Sequence, residues 1–177
     1  MNILFITPYL PSEKSGHAGA QLIYRNVIAL SKMHNITVVS FEDNSENKMI
    51  DKLAANNIDV HSIYYPRNQN SFIQKINSLI KNFAAIISFF KGKEPFFIAK
   101  YDHKEMRDLI ADLIMKNKFD CAQVEYNVMH HYADLFTNMP SIIVFHDIST
   151  KLYERGMDLG FKSDKRSYKI SKKVEIK

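Results

Sequence analysis

The sequence predicts an α/β domain with a Rossmann-like parallel sheet that is covered by helices on both faces. Two observations lead to this prediction. Short, wholly apolar runs such as 2–7 and 36–41 suit strands that are buried on both faces, which is typical of parallel sheets. Segments whose apolar residues recur at helical spacing separate these runs, and strands that alternate with helices imply right-handed crossovers.

Five strands and four intervening helices follow from the pattern along the chain. The strands are predicted at residues 2–7, 36–41, 58–64, 119–125 and 141–146. Helices are predicted at about 20–33, 46–56 and 71–91, and behind residue 105. Ser45 suits the N-cap of the second helix, and Asp102 followed by Glu105 has the spacing of a capping box.

The predicted helix at 71–91 is the least polar of the helical stretches. Its apolar residues share one side, and they are Phe72, Ile76, Leu79, Phe83, Ile87 and Phe90. We interpret this side as core, with a lid over a substrate crevice as a variant of that interpretation. The alternative is contact with a membrane surface, because the lysines at 75, 81, 91 and 93 would be attracted by acidic lipids.

The net charge of +5 is not spread evenly over the chain. Residues 151–177 contain nine basic and four acidic residues, whereas the first 150 contain fifteen of each. A uniformly basic nucleic-acid-binding protein is therefore excluded. The single cysteine, Cys121, allows no internal disulfide and falls in a predicted strand, so we expect it to pack in the core.

The two ends of the chain bear on its localisation and its domain organisation. The first residues lack the basic segment of a secretion signal, and no apolar stretch is long enough to span a membrane, which predicts a cytoplasmic protein. We expect one domain at 1–164 and the start of a basic helix at 165–177. A further strand would normally follow such a helix, so we expect the chain to continue into another domain.

Ligands of open parallel sheets bind outside the carboxyl ends of the strands. The first such position is the loop that contains Gly16 and Gly19, just before the first helix. Glycine permits close approach of backbone amides, and the helix offers its positive end to a phosphate. The alternative is an ordinary flexible turn. The three-glycine dinucleotide motif is absent, but Glu42 and Asp43 occupy the position of a ribose-binding acid and keep a nicotinamide site open.

Ionisable residues also follow the fourth and fifth strands. Glu125 and Tyr126 end the fourth strand, and His146 and Asp147 end the fifth. A histidine there can exchange a proton near neutral pH, although a residue at the edge of the core is an equally good interpretation. If His146 faces an open crevice, it should pack against little.

Two adjacent histidines, His130 and His131, follow the fourth strand. On a helix their side chains would point about 100° apart, so we do not expect them to share a metal ion. We interpret both as structural, with one of them lining an acceptor pocket as the alternative. No metal site is predicted anywhere in the chain.

Several segments in this order resemble the N-terminal domain of GT-B glycosyltransferases of family 4. They are the opening at 1–11, the loop at 15–21, the helix end at 29–34, the strand at 37–41, and the stretches 119–126 and 144–147. The resemblance covers essentially the whole chain. It implies one half of a GT-B enzyme, whose second Rossmann-like domain holds the nucleotide of the donor.

The resemblance implies a role for each residue of the predicted site. The loop residues Gly16, Gly19 and Ala20 would face the donor diphosphate. His146 would contact the donor sugar near the reacting centre, and Asp147 would orient that histidine or the acceptor. The acceptor side would be lined by Tyr9, Glu125 and Tyr126.

These roles together describe an enzyme half that transfers a sugar from a nucleotide-sugar donor to a glycan or a lipid-linked acceptor, without a cofactor. Retention of anomeric configuration is implied by the family. The 177 residues alone should transfer no sugar, because nothing in them supplies the nucleotide site. The alternative is a self-contained flavodoxin-like or nicotinamide-binding module. A second βαβ series downstream of Lys177 in the reading frame would favour the transferase.

Overall fold

Five parallel strands form one twisted sheet in the computed structural model, which describes residues 1–43, 46–66, 72–146, 149–158 and 168–170. The strands are β1 (Asn2–Thr7), β2 (Asn35–Glu42), β3 (Ile58–Tyr64), β4 (Cys121–Glu125) and β5 (Ser141–Val144). Their spatial order is β3-β2-β1-β4-β5. This arrangement confirms the predicted Rossmann-like α/β fold.

The direction of winding reverses at β1. This strand pairs with β2 on one side, where Phe5 lies opposite Val38, and with β4 on the other, where Phe5 lies opposite Gln123. The chain therefore leaves β1 toward β3 and returns across the sheet to β4 and β5. The strand order therefore reverses between β1 and β4. Ligands of sheets with this topology bind in the crevice outside the carboxyl ends of these two strands.

Helices connect the strands and flank the sheet. They are α1 (Ala18–Ser31), α2 (Asn47–Ala54), α3 (Phe72–Lys81), α4 (Phe83–Phe90), α5 (Phe96–Ala99), α6 (Lys104–Lys116), a 3-10 helix at Asn127–Phe136, and α7 (Ser149–Asp158). None of the helices in the described ranges combines the length and the apolarity needed to cross a bilayer.

Each face of the sheet has its own core, because alternate residues of β1 point to opposite sides. Leu4 and Ile6 pack with residues of α6 and the 3-10 helix, including the fully buried Tyr132. Ile3 and Phe5 pack on the other face with residues of α1 and α2. The two cores hold the strand ends in fixed positions, and the site at those ends depends on them.

The predicted helix at 71–91 is two helices, and its interpretation as core is wrong. Leu79 is 60% exposed and Phe83 is 63% exposed. The buried stripe is instead the polar or small one, formed by Ser78, Asn82 and Ala85. This side is buried because the side-chain amide of Asn82 finds partners there. Its nitrogen donates to the Ser78 carbonyl at 2.7 Å, and its oxygen accepts from the buried Tyr65 hydroxyl at 3.0 Å.

Three further predictions concern the helices. The expected capping box is wrong, because α6 has His103 at its N-cap and no side chain caps it. The proposed N-cap Ser45 lies outside the described residues, as does most of the predicted basic helix at 165–177.

The outer strand β5 is short and exposed. It pairs with β4, with Glu125 opposite Val144, and on its other side no strand of the described residues lies beside it. Ile142 is 58% exposed and Phe145, just after the strand, is 65% exposed. The sheet thus presents apolar side chains at this edge.

Candidate functional site

A buried carboxylate holds a histidine at the reversal point of the sheet. Glu125 is the last residue of β4, and its side chain is 1% exposed. One carboxylate oxygen accepts from Gln123 Nε2 at 2.6 Å, and the other lies 2.7 Å from His146 Nε2. Because an ionised carboxylate only accepts hydrogen bonds, the imidazole Nε2 carries the proton that joins them. The other nitrogen of His146, Nδ1, is then the acceptor in the neutral ring.

Parallel pairing of β4 and β5 brings these two residues together. Glu125 is in register with Val144, and His146 follows two residues after the end of β5. The side chain of His146 is 13% exposed, so it is largely enclosed. The expectation that His146 packs against little is therefore wrong, because the Glu125 carboxylate and an aromatic ring cover it.

That aromatic ring belongs to Tyr126. It stacks on the His146 imidazole with centroids 4.0 Å apart and an interplanar angle of 26°. Tyr126 has a backbone φ of 68°, which is uncommon for a residue other than glycine. Its backbone N–H donates to the Val144 carbonyl at 2.9 Å. The ring contacts and this hydrogen bond hold the chain in its left-handed conformation where it leaves the sheet.

Gly19 allows Tyr126 to occupy this position. It is the second residue of α1, and a Cβ there would overlap the Tyr126 hydroxyl group and lie 3.4 Å from His146 Nδ1. A Cβ on Gly16 would meet nothing within 4 Å. Of the two glycines predicted to bind phosphate, Gly19 is therefore needed for close packing, whereas Gly16 lies in open space.

The N-terminus of α1 lies beside the Tyr126–His146 stack. Its first turn contains no acidic side chain, and its N-cap residue His17 makes no capping hydrogen bond through its side chain. The first amides of a helix lack partners within the helix and favour anions. Ala20, the third residue predicted to face phosphate, is fully buried as a side chain, so only its backbone could take part.

Tyr9 connects the His146 region with a cavity. Its ring stacks on His17 at 4.1 Å and meets the Tyr126 ring edge-on at 5.6 Å. A cavity of about 290 Å³ opens beside it. The lining includes Tyr9, His17, Tyr65, Asn82, Lys100 and Tyr101. Aromatic rings with a few polar groups are typical of small-molecule binding sites.

The structure brings five of the predicted residues together. They are Tyr9, Gly19, Glu125, Tyr126 and His146. Asp147 lies outside the described residues, so its role stays a prediction. Sequence reasoning missed Gln123, which holds the second oxygen of Glu125. The available signal was its spacing, since residues two apart on a strand share a face.

The carboxyl end of β2 presents a second carboxylate, of which one oxygen is buried. The Oε2 atom of Glu42 is buried and makes no hydrogen bond to the part of the chain that the structure describes. The neighbouring Asp43 is also buried, and its backbone N–H donates to Glu46 Oε2 at 2.7 Å. This is the position at which an acid would bind a ribose in a dinucleotide site.

The side chains of His130 and His131 converge, contrary to the prediction from helix geometry. The rings of His130 and His131 lie 4.1 Å apart, and both face Glu94. Glu94 raises the pKa of His130, mainly through hydrogen bonding. Burial, followed by the nearby His130, lowers the pKa of His131. Rotation about the side-chain bonds brings both rings to one carboxylate, despite their different directions from the backbone.

Comparisons with known proteins do not assign this chain to a family. Neither the family models, nor the curated proteins, nor the solved structures contain a match to this chain. Function is therefore argued from the site itself.

Proposed function

We propose that this chain is the acceptor-side half of a glycosyltransferase, which moves a sugar from a nucleotide-sugar donor to a glycan or lipid-linked acceptor. The observation that supports this most is the Glu125–His146 pair beside the N-terminus of α1. It offers a hydrogen-bonding nitrogen and an anion-binding helix end at one point of the crevice. Both are needed where a sugar is attached to a diphosphate.

His146 would contact the donor sugar through Nδ1. Since Nε2–H is held by Glu125 at 2.7 Å, Nδ1 is the nitrogen left to accept a hydrogen bond from a sugar hydroxyl. The charge of Glu125 fixes this tautomer and the ring orientation. Because Glu125 is 1% exposed, we assign it to positioning His146 and not to direct contact with the acceptor.

The helix end would stabilise the leaving group. In transfer, the bond between the sugar carbon and the phosphate oxygen breaks, and the electron pair stays on the diphosphate. The acceptor oxygen forms the new bond to the sugar carbon and passes its proton to the departing diphosphate. Backbone amides at the start of α1 would bind the negative charge that develops on the diphosphate. The loop around Gly16 has room for that group.

The aromatic cavity beside Tyr9 would bind the acceptor. It adjoins the Tyr126–His146 stack through the edge-on contact of Tyr9, so an acceptor there would lie next to the reacting centre. A second domain would supply the nucleotide-binding half. Holding donor and acceptor together is worth roughly 7–11 kcal/mol in such reactions, which a single half cannot provide.

Sugar transfer is tested by measuring nucleoside diphosphate released from a panel of nucleotide sugars, with the 177-residue chain and with the product of the complete reading frame. We expect release by the complete product with at least one donor and none by the 177 residues alone. The anomeric form of the product tests retention. Transfer by the 177 residues alone, or no release with any donor, would overturn the proposal.

A nicotinamide-binding module is the second candidate, and it is favoured by the buried oxygen of Glu42, which has no hydrogen-bond partner among the described residues. Its test is a fluorescence titration of the chain with NADH. Tight binding that Glu42→Gln weakens tenfold or more would support this candidate over sugar transfer. Absence of binding would remove it.

We further propose that α3 and α4 contact an acidic membrane, which would bring the enzyme to a lipid-linked acceptor. Their exposed apolar side chains are Ile76, Leu79, Ile80, Phe83, Ile87 and Phe90. Exposed lysines at 75, 91 and 93 lie on the same segment. Apolar side chains beside basic ones are typical of helices that lie in the lipid headgroup region.

Vesicle sedimentation tests this contact. The chain should bind vesicles that contain phosphatidylglycerol at low salt, and binding should weaken steeply as salt screens the lysines. Leu79→Ser together with Phe83→Ser should reduce binding at least tenfold. Leu22→Ser is the matched control, because Leu22 is 50% exposed on α1. No binding at low salt, or an equal loss with Leu22→Ser, would contradict membrane contact.

A further inference from the structure

Three potential metal ligands meet outside the site described above. Glu94 lies just before α5, and His130 and His131 lie on the 3-10 helix that follows β4. One ligand atom from each of the three side chains lies within 4.8 Å of the other two. Side chains from two separate segments of the fold thus converge on one point.

The distances suit a tetrahedral zinc ion. Glu94 Oε1 lies 3.4 Å from His130 Nε2, and Glu94 Oε2 lies 3.4 Å from His131 Nε2. Zinc binds nitrogen and oxygen at about 2.0–2.1 Å, and tetrahedral geometry then places neighbouring ligand atoms about 3.3–3.4 Å apart. Each imidazole has this spacing to one of the two carboxylate oxygens, His130 to Oε1 and His131 to Oε2.

The hydrogen bond of His130 directs the correct nitrogen toward the cluster. Its Nδ1 lies 3.0 Å from the backbone carbonyl of Asn127. A carbonyl only accepts, so Nδ1 carries a proton, and Nε2, which faces Glu94, is the nitrogen that would give up its proton to bind a metal ion. Histidines that bind zinc are oriented in this way, with the second nitrogen donating to a carbonyl or carboxylate.

The Nε2 atom of His131 gives an independent observation. It is buried and makes no hydrogen bond to any of the described residues. Buried polar atoms are nearly always satisfied, and an exception needs an explanation. A cation between this nitrogen and Glu94 would satisfy it.

We propose that Glu94, His130 and His131 bind a Zn²⁺ ion, with water in the fourth position. Two imidazoles and one carboxylate are a donor set that zinc accepts in proteins. His130 is 43% exposed, which leaves a path for the ion and its water from solvent. This proposal does not depend on sugar transfer.

The ion would join the α5 segment, which borders the cavity next to Tyr9, to the 3-10 helix that follows β4. Glu94 immediately precedes α5, and the cavity lining includes Phe96 and Lys100 from that segment. The histidines follow Tyr126 on the 3-10 helix. Zinc would therefore fix the α5 wall of the cavity relative to the carboxyl end of β4.

Calorimetric titration of the untagged, EDTA-treated chain with ZnCl₂ tests the site. We expect one Zn²⁺ per chain and a higher melting temperature with the metal. Glu94→Gln, His130→Ala and His131→Ala should each weaken binding by about 100-fold or more, beyond the 10–100-fold effect of removing an outer-shell partner. Far-UV circular dichroism checks the folding of each variant, and Glu94→Gln is the mildest of them.

His61→Ala is the matched control. His61 also faces a carboxylate, at 2.8 Å from Asp59, but it lies on β3 away from the cluster. Its removal should leave zinc affinity unchanged. No stoichiometric binding by the unaltered chain, or an equal loss of affinity with His61→Ala, would overturn the proposal. Affinity that none of the three ligand variants lowers would also overturn it.

Discussion

Two groups of glutamate and histidine in this molecule differ in the distance between the carboxylate and the imidazole. Glu125 and His146 are 2.7 Å apart, and the imidazole proton joins them. Glu94 and its two histidines are 3.4 Å apart, a separation that suits a metal ion better than a strong hydrogen bond. The residue types are the same, so residue type alone does not decide the chemistry.

The backbone makes the difference between the two groups. At His130 the Nδ1–H donates to the Asn127 carbonyl, so Nε2 is the nitrogen on the side of Glu94 that could bind a metal ion. At His146 the Nε2 proton points to Glu125, which is nearly fully buried and fixed by Gln123. We infer that local carbonyl positions assign one group to holding a histidine and the other to holding a cation.

The largest expected effect is on turnover through His146. If the proposed sugar transfer is right, His146→Ala in the product of the complete reading frame should lower nucleoside diphosphate release by a factor of about 10²–10⁴, the usual range for a positioned polar or acid–base group. The kinetic assay on the panel donor that turns over measures it. His34→Ala is the control, because His34 precedes β2 and lies at the opposite edge of the sheet. Equal losses for both variants would contradict the role of His146 at the reacting centre.

A smaller effect is expected from Gly19→Ala, which disturbs the ring above His146. Overpacking costs about 1–3 kcal/mol, whereas alanine gains up to about 1 kcal/mol over glycine in a helix. The net change should lower the melting temperature by a few degrees. Gly16→Ala, which meets open space, should change it little.

A double mutant would show whether Tyr126 transmits the effect of Gly19. Tyr126→Gly removes the overlapping hydroxyl group and also suits the positive φ. Gly19→Ala should then cost less in the Tyr126→Gly background, and a thermodynamic cycle gives the coupling. A rise in melting temperature for Gly19→Ala alone would mean that Tyr126 moves aside freely.

The smallest expected effect concerns His103, a histidine that belongs to neither of the two groups. Its Nε2 lies 2.9 Å from the Lys100 carbonyl, and burial lowers its pKa below the usual 6.5. The unfolded chain then binds a proton that the folded chain resists, so stability falls as pH drops below about 6.5. His103→Asn should reduce this loss, measured as melting temperature at pH 5 and pH 7.5. An unchanged pH dependence would contradict the assignment.

The sequence pattern predicted the sheet well because β1 and β2 are short and mainly apolar, and β3 alternates. The five strands lie where the runs at 2–7, 36–41 and 58–64, and the two later ones, predict them. The position of the candidate site also followed from the sequence, since carboxyl ends of parallel strands share one edge.

The sequence could not show which face of a helix is buried when a polar group decides it. Asn82 and Ser78 are buried because the Tyr65 hydroxyl and the helix backbone satisfy them, and neither contact is visible in periodicity. The convergence of Glu94 with His130 and His131 joins segments more than 30 residues apart. No spacing rule connects them, so only the fold reveals the cluster.

The exposed outer strand β5 has a consequence for handling the protein. No described strand pairs with the outer side of β5, and Ile142 and Phe145 are exposed there, so this strand can pair with the same strand of another copy. Concentrated samples of the 177 residues should therefore associate edge to edge. A charged residue at 142, as in Ile142→Lys, should keep the chain monomeric and make it easier to crystallise or study by NMR.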